Sequence, residues 1–299
     1  MNAKLAVGGT LLAVLLVLAL FPGLAAPWPR DFADNLRSIE TAEGTEWRFS
    51  PEPPSAYFPL GSDNYGYDLL TKLLWGLRWT LAAVTLTAAL RTLLGGFMGV
   101  VRASLRLDPS RDRGFSPLAG IPSFVMVFFL VYPVTINPPM GSFGLFLYQC
   151  AVMTAFDLGG IVASVAAKTG ALYATVFVEA AVSAGADKRW VIRHHILPFL
   201  GEELLEIFAE QTVAVLKLVG RLGIFFMFIG GTTLTLDPPI LTSTTGEIAG
   251  LIGLYRPRLL ATRWLLAFPL ASYVLVLAAF RLFASGLRER ERKNRRVTG

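Results

Sequence analysis

The sequence predicts an all-α, polytopic membrane protein with six transmembrane helices. Three observations carry this. Of 299 residues, 54% are hydrophobic and only 16% charged, against roughly 25% charged in a soluble domain. Several apolar runs approach the ~20 residues that a helix needs to cross a bilayer. The basic residues behind the net charge of +6 cluster in short segments beside those runs, as they do in the cytoplasmic loops of membrane proteins. That distribution points to a lipid bilayer rather than nucleic acid as the surface the charge serves. The single cysteine, Cys150, lies inside an apolar run and forms no internal disulfide.

The first apolar run covers 5–24, preceded by Lys4 alone, and reads as a retained first helix, residues 1–24, because it is longer than a signal-peptide core. Residues 25–78 hold six prolines (Pro27, Pro29, Pro51, Pro53, Pro54, Pro59) and an acidic excess. They read as an extracytoplasmic loop, with a short helix expected near 31–37. The second span covers about 79–101 and contains Gly95-Gly96-Phe97-Met98-Gly99, a spacing of small residues that lets another helix approach closely. The segment 102–114 carries Arg102, Arg106, Arg111 and Arg113 and is assigned to the cytoplasm. The third span, about 115–136, has Pro122 and Pro133 as expected kinks, and 137–141 is a turn. The fourth span covers 143–167. Residues 168–201 return to the cytoplasm, the fifth span lies within 211–230, 231–263 is a second external loop, and the sixth span covers 264–282. The basic tail, 288–299, completes an arrangement with both termini in the cytoplasm; residues 79–287 form the core.

The cytoplasmic stretch 179–198 is the informative one. Glu179, Ala180 and Ala181 open a helix, Gly185 permits a turn through positive φ, and Asp187 is placed to cap a second helix. Pro198 marks where the chain is expected to leave that helix. Small side chains with one fixed carboxylate make a helical elbow suited to docking on another protein.

This stretch resembles the EAA loop of ABC importer permeases: Glu179, Ala180, Ala181, Gly185, Leu197 and Pro198 fall in register. His195 stands where that pattern has Ile, and a His-Ile-Leu-Pro ending is similar to the dipeptide, oligopeptide and nickel branch. Residues 59–68, from Pro59-Leu60-Gly61 to Asp68, resemble the segment before the second span in that branch, with Tyr67 in place of its arginine. Residues 264–288 look like its last helix and Gly-Leu-Arg exit, whereas 231–247 departs most. The resemblance implies a type I ABC importer permease fold in the bacterial inner membrane. It also implies a second homologous permease chain, two cytoplasmic ATPase subunits that use ATP and Mg, and an extracytoplasmic solute-binding protein that delivers a small peptide or similar solute. The chain would bind no cofactor itself, since it contains no Gly-x-x-x-x-Gly-Lys-Ser/Thr loop. An ion-coupled secondary transporter is the alternative; it calls for intramembrane acids and inverted repeats.

Charged residues inside spans are costly and mark functional positions. Arg91 and Asp157 sit near the middles of the second and fourth spans, and pairing would offset their desolvation. Glu206, Glu210, Lys217 and Arg221 recur at helical spacing and place a charged stripe on one face, directed at a partner subunit, the translocation path or, for the two acids, the membrane interface. His194 and His195 have no second cluster of His, Cys or acid at ligand spacing, so neither catalysis nor metal binding is expected.

Overall fold

The computed structural model describes residues 3–41, 44–105, 121–236 and 239–298. The helices α1 (Ala3–Leu20), α2 (Leu69–Ser104) and α10 (Arg263–Thr298) are long and apolar enough to span a bilayer. The bent pair α4 (Ser142–Ala155) and α5 (Leu158–Tyr173) makes a fourth span if counted together. The helix α3 (Ser123–Thr135) is apolar but shorter, and α8 (Leu197–Ile224) is long but interrupted by charge. The expected cytoplasmic arginines 106, 111 and 113, and the start of the third span, fall outside the described residues.

Several elements differ from expectation. The second helix begins at Leu69, not near 79, because Asp68 accepts hydrogen bonds from the Thr71 backbone N–H at 2.7 Å and its hydroxyl at 2.8 Å and so fixes the first turn there. No helix forms at 31–37. Instead β1 (Leu36–Thr41) pairs antiparallel with β2 (Gly44–Phe49). Arg37 is drawn out of that hairpin to pair with buried Glu52 at 2.8 Å and to lie 3.7 Å from the Tyr57 ring. The fourth span is not one rod: the chain bends by 51° between α4 and α5, at Phe156-Asp157.

The expected loop 231–263 contains a second hairpin, β3 (Thr232–Leu236) with β4 (Pro239–Ser243), and a buried helix, α9 (Ile248–Tyr255). Three glycines make room for α9. A Cβ at Gly76 would collide with the Gly246 carbonyl, one at Gly253 with the Gly223 carbonyl, and one at Gly223 with Ala249. Glu247, fully buried, accepts from Ala249 N–H at 2.8 Å, and Thr80 of α2 accepts from Ile248 N–H at 3.1 Å. Two donors at the start of α9 are thereby satisfied away from water.

The main core lies where α1, α2, α8, α9 and α10 meet. Gly8 and Gly286 let α1 and α10 cross backbone to backbone, since a Cβ at either would strike the other helix. The Gly95–Gly99 pair does the same for α2 and α5: a Cβ at Gly95 would lie 2.7 Å from Ile161, and one at Gly99 2.7 Å from Val165.

Candidate functional site

The elbow is built as two short helices, α6 (Val176–Ser183) and α7 (Lys188–Val191), joined through Gly185 at φ 89°. A glycine holds that left-handed conformation without the Cβ penalty of about 1–2 kcal/mol. Asp187 occupies the N-cap of α7, but its side chain makes no capping hydrogen bond. Beyond α7 the backbone widens into a π-turn over Ile192–Ile196, then continues as α8. Pro198 therefore does not end a helix as expected. It sits in the first turn of α8, just after Leu197 N–H has skipped to the Ile192 carbonyl, where its missing N–H is tolerated.

The elbow has two sides. Inside, Val178, Val191, Ile196 and Leu200 are buried against Val100 of α2 and Ile161 and Val165 of α5, a second apolar core separate from the main one. Outside, Glu179, Ala180, Leu197 and Pro198 are exposed, Ala181 is half-buried, and Val176 and Trp190 are 82% and 46% exposed. His195 is half-buried between Phe177 at 5.8 Å and Trp190 at 5.1 Å, and His194 stacks on Trp190 at 4.7 Å. Both imidazoles thus serve the packing of the elbow. At its base Lys168 pairs with Glu203, tying α5 to α8.

A second locus lies at the break between α4 and α5. Arg91 is 1% exposed and pairs with Asp157 at 2.9 Å. It also donates to the Met153 carbonyl from Nε at 3.1 Å and again from Nη2, and to Gln211 Oε1 from Nη1 at 3.1 Å. One guanidinium thus covers a carbonyl at the end of α4, the carboxylate at the start of α5 and an amide of α8. Met153 and Gln211 were not legible as its partners, because neither residue type announces such a bond. Gln149, also overlooked, is buried in α4 and bridges the Phe228 carbonyl and Gly230 N–H, both at 2.9 Å. A polar residue amid the apolar run 143–155 was its one signal.

The charged stripe of α8 divides. Glu206 and Glu210 both pair with Arg288 of α10, at 3.1 Å for Glu206. Lys217 and Arg221 are exposed and have no ion-pair partner among the described residues. Two polar recesses flank the stripe: one of about 350 Å³ containing Arg91, Asp157 and Gln211, the other of about 510 Å³ containing Lys217, Arg281 and Arg288. Among the described residues no group of His, Cys, Asp and Glu is placed to hold a metal ion.

Curated proteins similar to this chain are described with one role. It is 29% identical over 273 residues to the oligopeptide transport system permease protein OppC of Haemophilus influenzae, covering 88% of this chain and 77% of that protein. The chain is a relative of peptide transport permeases. A second relative, 26% identical over 281 residues (93% of this chain, 84% of the relative), is described as a probable D,D-dipeptide transport system permease, DdpC, of Escherichia coli. A third, a Brucella suis protein provisionally assigned as a peptide transport system permease, is 27% identical over 186 residues. That match takes in 62% of this chain and spans only 57% of the Brucella protein's length. No family model matches the chain. With the apolar helices described above, these likenesses make it a multi-pass membrane protein of the transport-permease kind.

Proposed function

We propose that the chain is the transmembrane permease subunit of an ATP-driven ABC importer for small peptides or a similar solute. It has six spanning segments, both termini in the cytoplasm and no ATPase site of its own. A second permease chain, two ATPases and an external solute-binding protein complete the machine in a bacterial inner membrane. The observation that carries this reading is the elbow at 179–198. It is exposed on its outer side, hinged at Gly185, and glued on its inner side to α2, α5 and α8. A push on Glu179 and its neighbours would therefore move three membrane helices together. The stripe of half-buried Glu210 and exposed Lys217 and Arg221 cannot face lipid, and in this reading it faces the second permease chain or the solute path.

The test is reconstitution with ATPase subunits and a solute-binding protein of a peptide importer. Glu179→Ala and Gly185→Val should each leave the chain folded while weakening ATPase association and abolishing solute-stimulated ATP hydrolysis. If both variants couple hydrolysis to uptake as the wild type does, or if uptake follows an ion gradient without ATP, the reading is wrong.

A further inference from the structure

Opposite the charged stripe, α8 faces a different environment. At about 100° per residue, Phe208 and Thr212 lie some 160° round the helix from the centre of the stripe. There they line an apolar groove of about 320 Å³ with Leu12 and Leu16 of α1, Leu81 of α2 and Phe280 of α10. The polar atoms in its wall are mostly spent: Thr85 and Thr212 each give their hydroxyl to their own helix, at 2.7 Å to Leu81 and Ala209. One charged group remains, Arg78, half-buried at one end of the groove.

Arg78 does not stand alone. Its guanidinium lies 4.5 Å from the Trp75 ring, and Arg30, from the segment after α1, lies 5.5 Å from the same ring. Neither arginine has a carboxylate partner among the described residues. Two like charges held beside one indole at the end of an apolar trough form a site for an anion attached to a hydrocarbon tail. Tryptophan is enriched at the headgroup level of bilayers, and Trp75 lies in the second turn of the apolar helix α2.

We propose that this groove is a phospholipid site: an acyl chain lies along α1, α2, α8 and α10, and the phosphate is held by Arg78 and Arg30 across Trp75. Two uncompensated positive charges favour a lipid with net negative charge over a zwitterionic one. The inference rests on α1, α2 and α10 being membrane helices and is independent of any ATPase partner, so it survives or fails apart from the transport reading.

The full chain in mild detergent, titrated with phosphatidylglycerol and followed by native mass spectrometry, tests it. Wild type should retain one lipid. The double variant R30Q/R78Q should bind about tenfold more weakly, the loss expected for a charge-assisted bond. Ala82→Phe, which fills the groove from an exposed position on α2, should abolish retention, and Arg78→Lys should keep most of it. Millimolar inorganic phosphate should not compete. Lipid retention by R30Q/R78Q or by A82F at wild-type strength overturns the proposal. So does competition by phosphate, which would mark a simple anion site. If R30Q/R78Q fails to fold, A82F and R78K decide the matter alone.

Discussion

Replacing Arg91 by leucine removes one group that three others depend on. The Met153 carbonyl, the Gln211 amide oxygen and the Asp157 carboxylate all point at its guanidinium. Breaking a fully buried ion pair costs about 3–5 kcal/mol. Asp157 is 39% exposed, however, so water can resolvate it and its share must be discounted. The two neutral acceptors cost about 1–3 kcal/mol each when left buried and unpaired, nearer the lower figure inside a membrane protein, where the unfolded state also finds partners. The sum is roughly 2–4 kcal/mol, which at about 2–4 °C per kcal/mol lowers the unfolding midpoint by at least ~4 °C. Thermal unfolding of detergent-solubilised Arg91→Leu measures this. Asp157→Asn should cost less, because the carbonyl and amide bonds survive. A midpoint for Arg91→Leu within ~1 °C of wild type, or a larger loss for Asp157→Asn, would refute the claim that Arg91 is the shared latch of α2, α4, α5 and α8.

Other outcomes follow from single features. Gly76→Ala should prevent α9 from seating and lower the unfolding midpoint sharply. By contrast Gly201→Ala, with nothing near its Cβ, should raise stability by about 0.5–1 kcal/mol through helix propensity. Gln149→Leu should cost about 1–3 kcal/mol by orphaning the Phe228 carbonyl and Gly230 N–H, read in the same unfolding assay. Burial holds the Asp68 carboxyl above its ordinary range, with the Thr71 hydrogen bonds only partly opposing the shift. A raised value means that folding favours the protonated form, so its contribution to stability is full below the unfolded pKa and declines as pH rises through the folded one. Asp68→Asn, which keeps an acceptor for Thr71, should therefore lose less stability than wild type between acid and neutral pH in parallel denaturant titrations. Cysteines placed at Lys217 and Arg221, both exposed, should react readily with a hydrophilic thiol reagent in the detergent-solubilised chain, and slow labelling at both would show that this face is not wet.

The apolar runs made α1, the body of α2 and α10 legible, because hydropathy acts locally and a bilayer demands it. The Gly95–Gly99 spacing likewise announced the close approach that α5 makes. The break at Asp157 was not legible, since hydropathy continues across it and the bend depends on an arginine more than sixty residues upstream in the chain. The helix α9 escaped for a similar reason: eight apolar residues among prolines, threonines and glycines read as loop, and its burial depends on bare backbone at Gly76 and Gly223 in two other helices. At the candidate site, Glu179, Gly185 and the elbow's outline could be read from residue type alone. Its attachment through Val178, Val191 and Ile196 could not, because valine and isoleucine in a short loop do not say what they touch. Nor did the sequence show that Arg288 would gather Glu206 and Glu210, leaving Lys217 and Arg221 without acidic partners among the described residues.

The seam between Gly8 and Gly286 joins the two most distant spans in the chain. Because α10 is made long after α1, the seam cannot close when α1 enters the bilayer, and until it does α1 has to lean on α2. Closure of this seam is therefore a late event in folding, and a fault in placing α10 leaves the backbone of α1 around Gly8 uncovered.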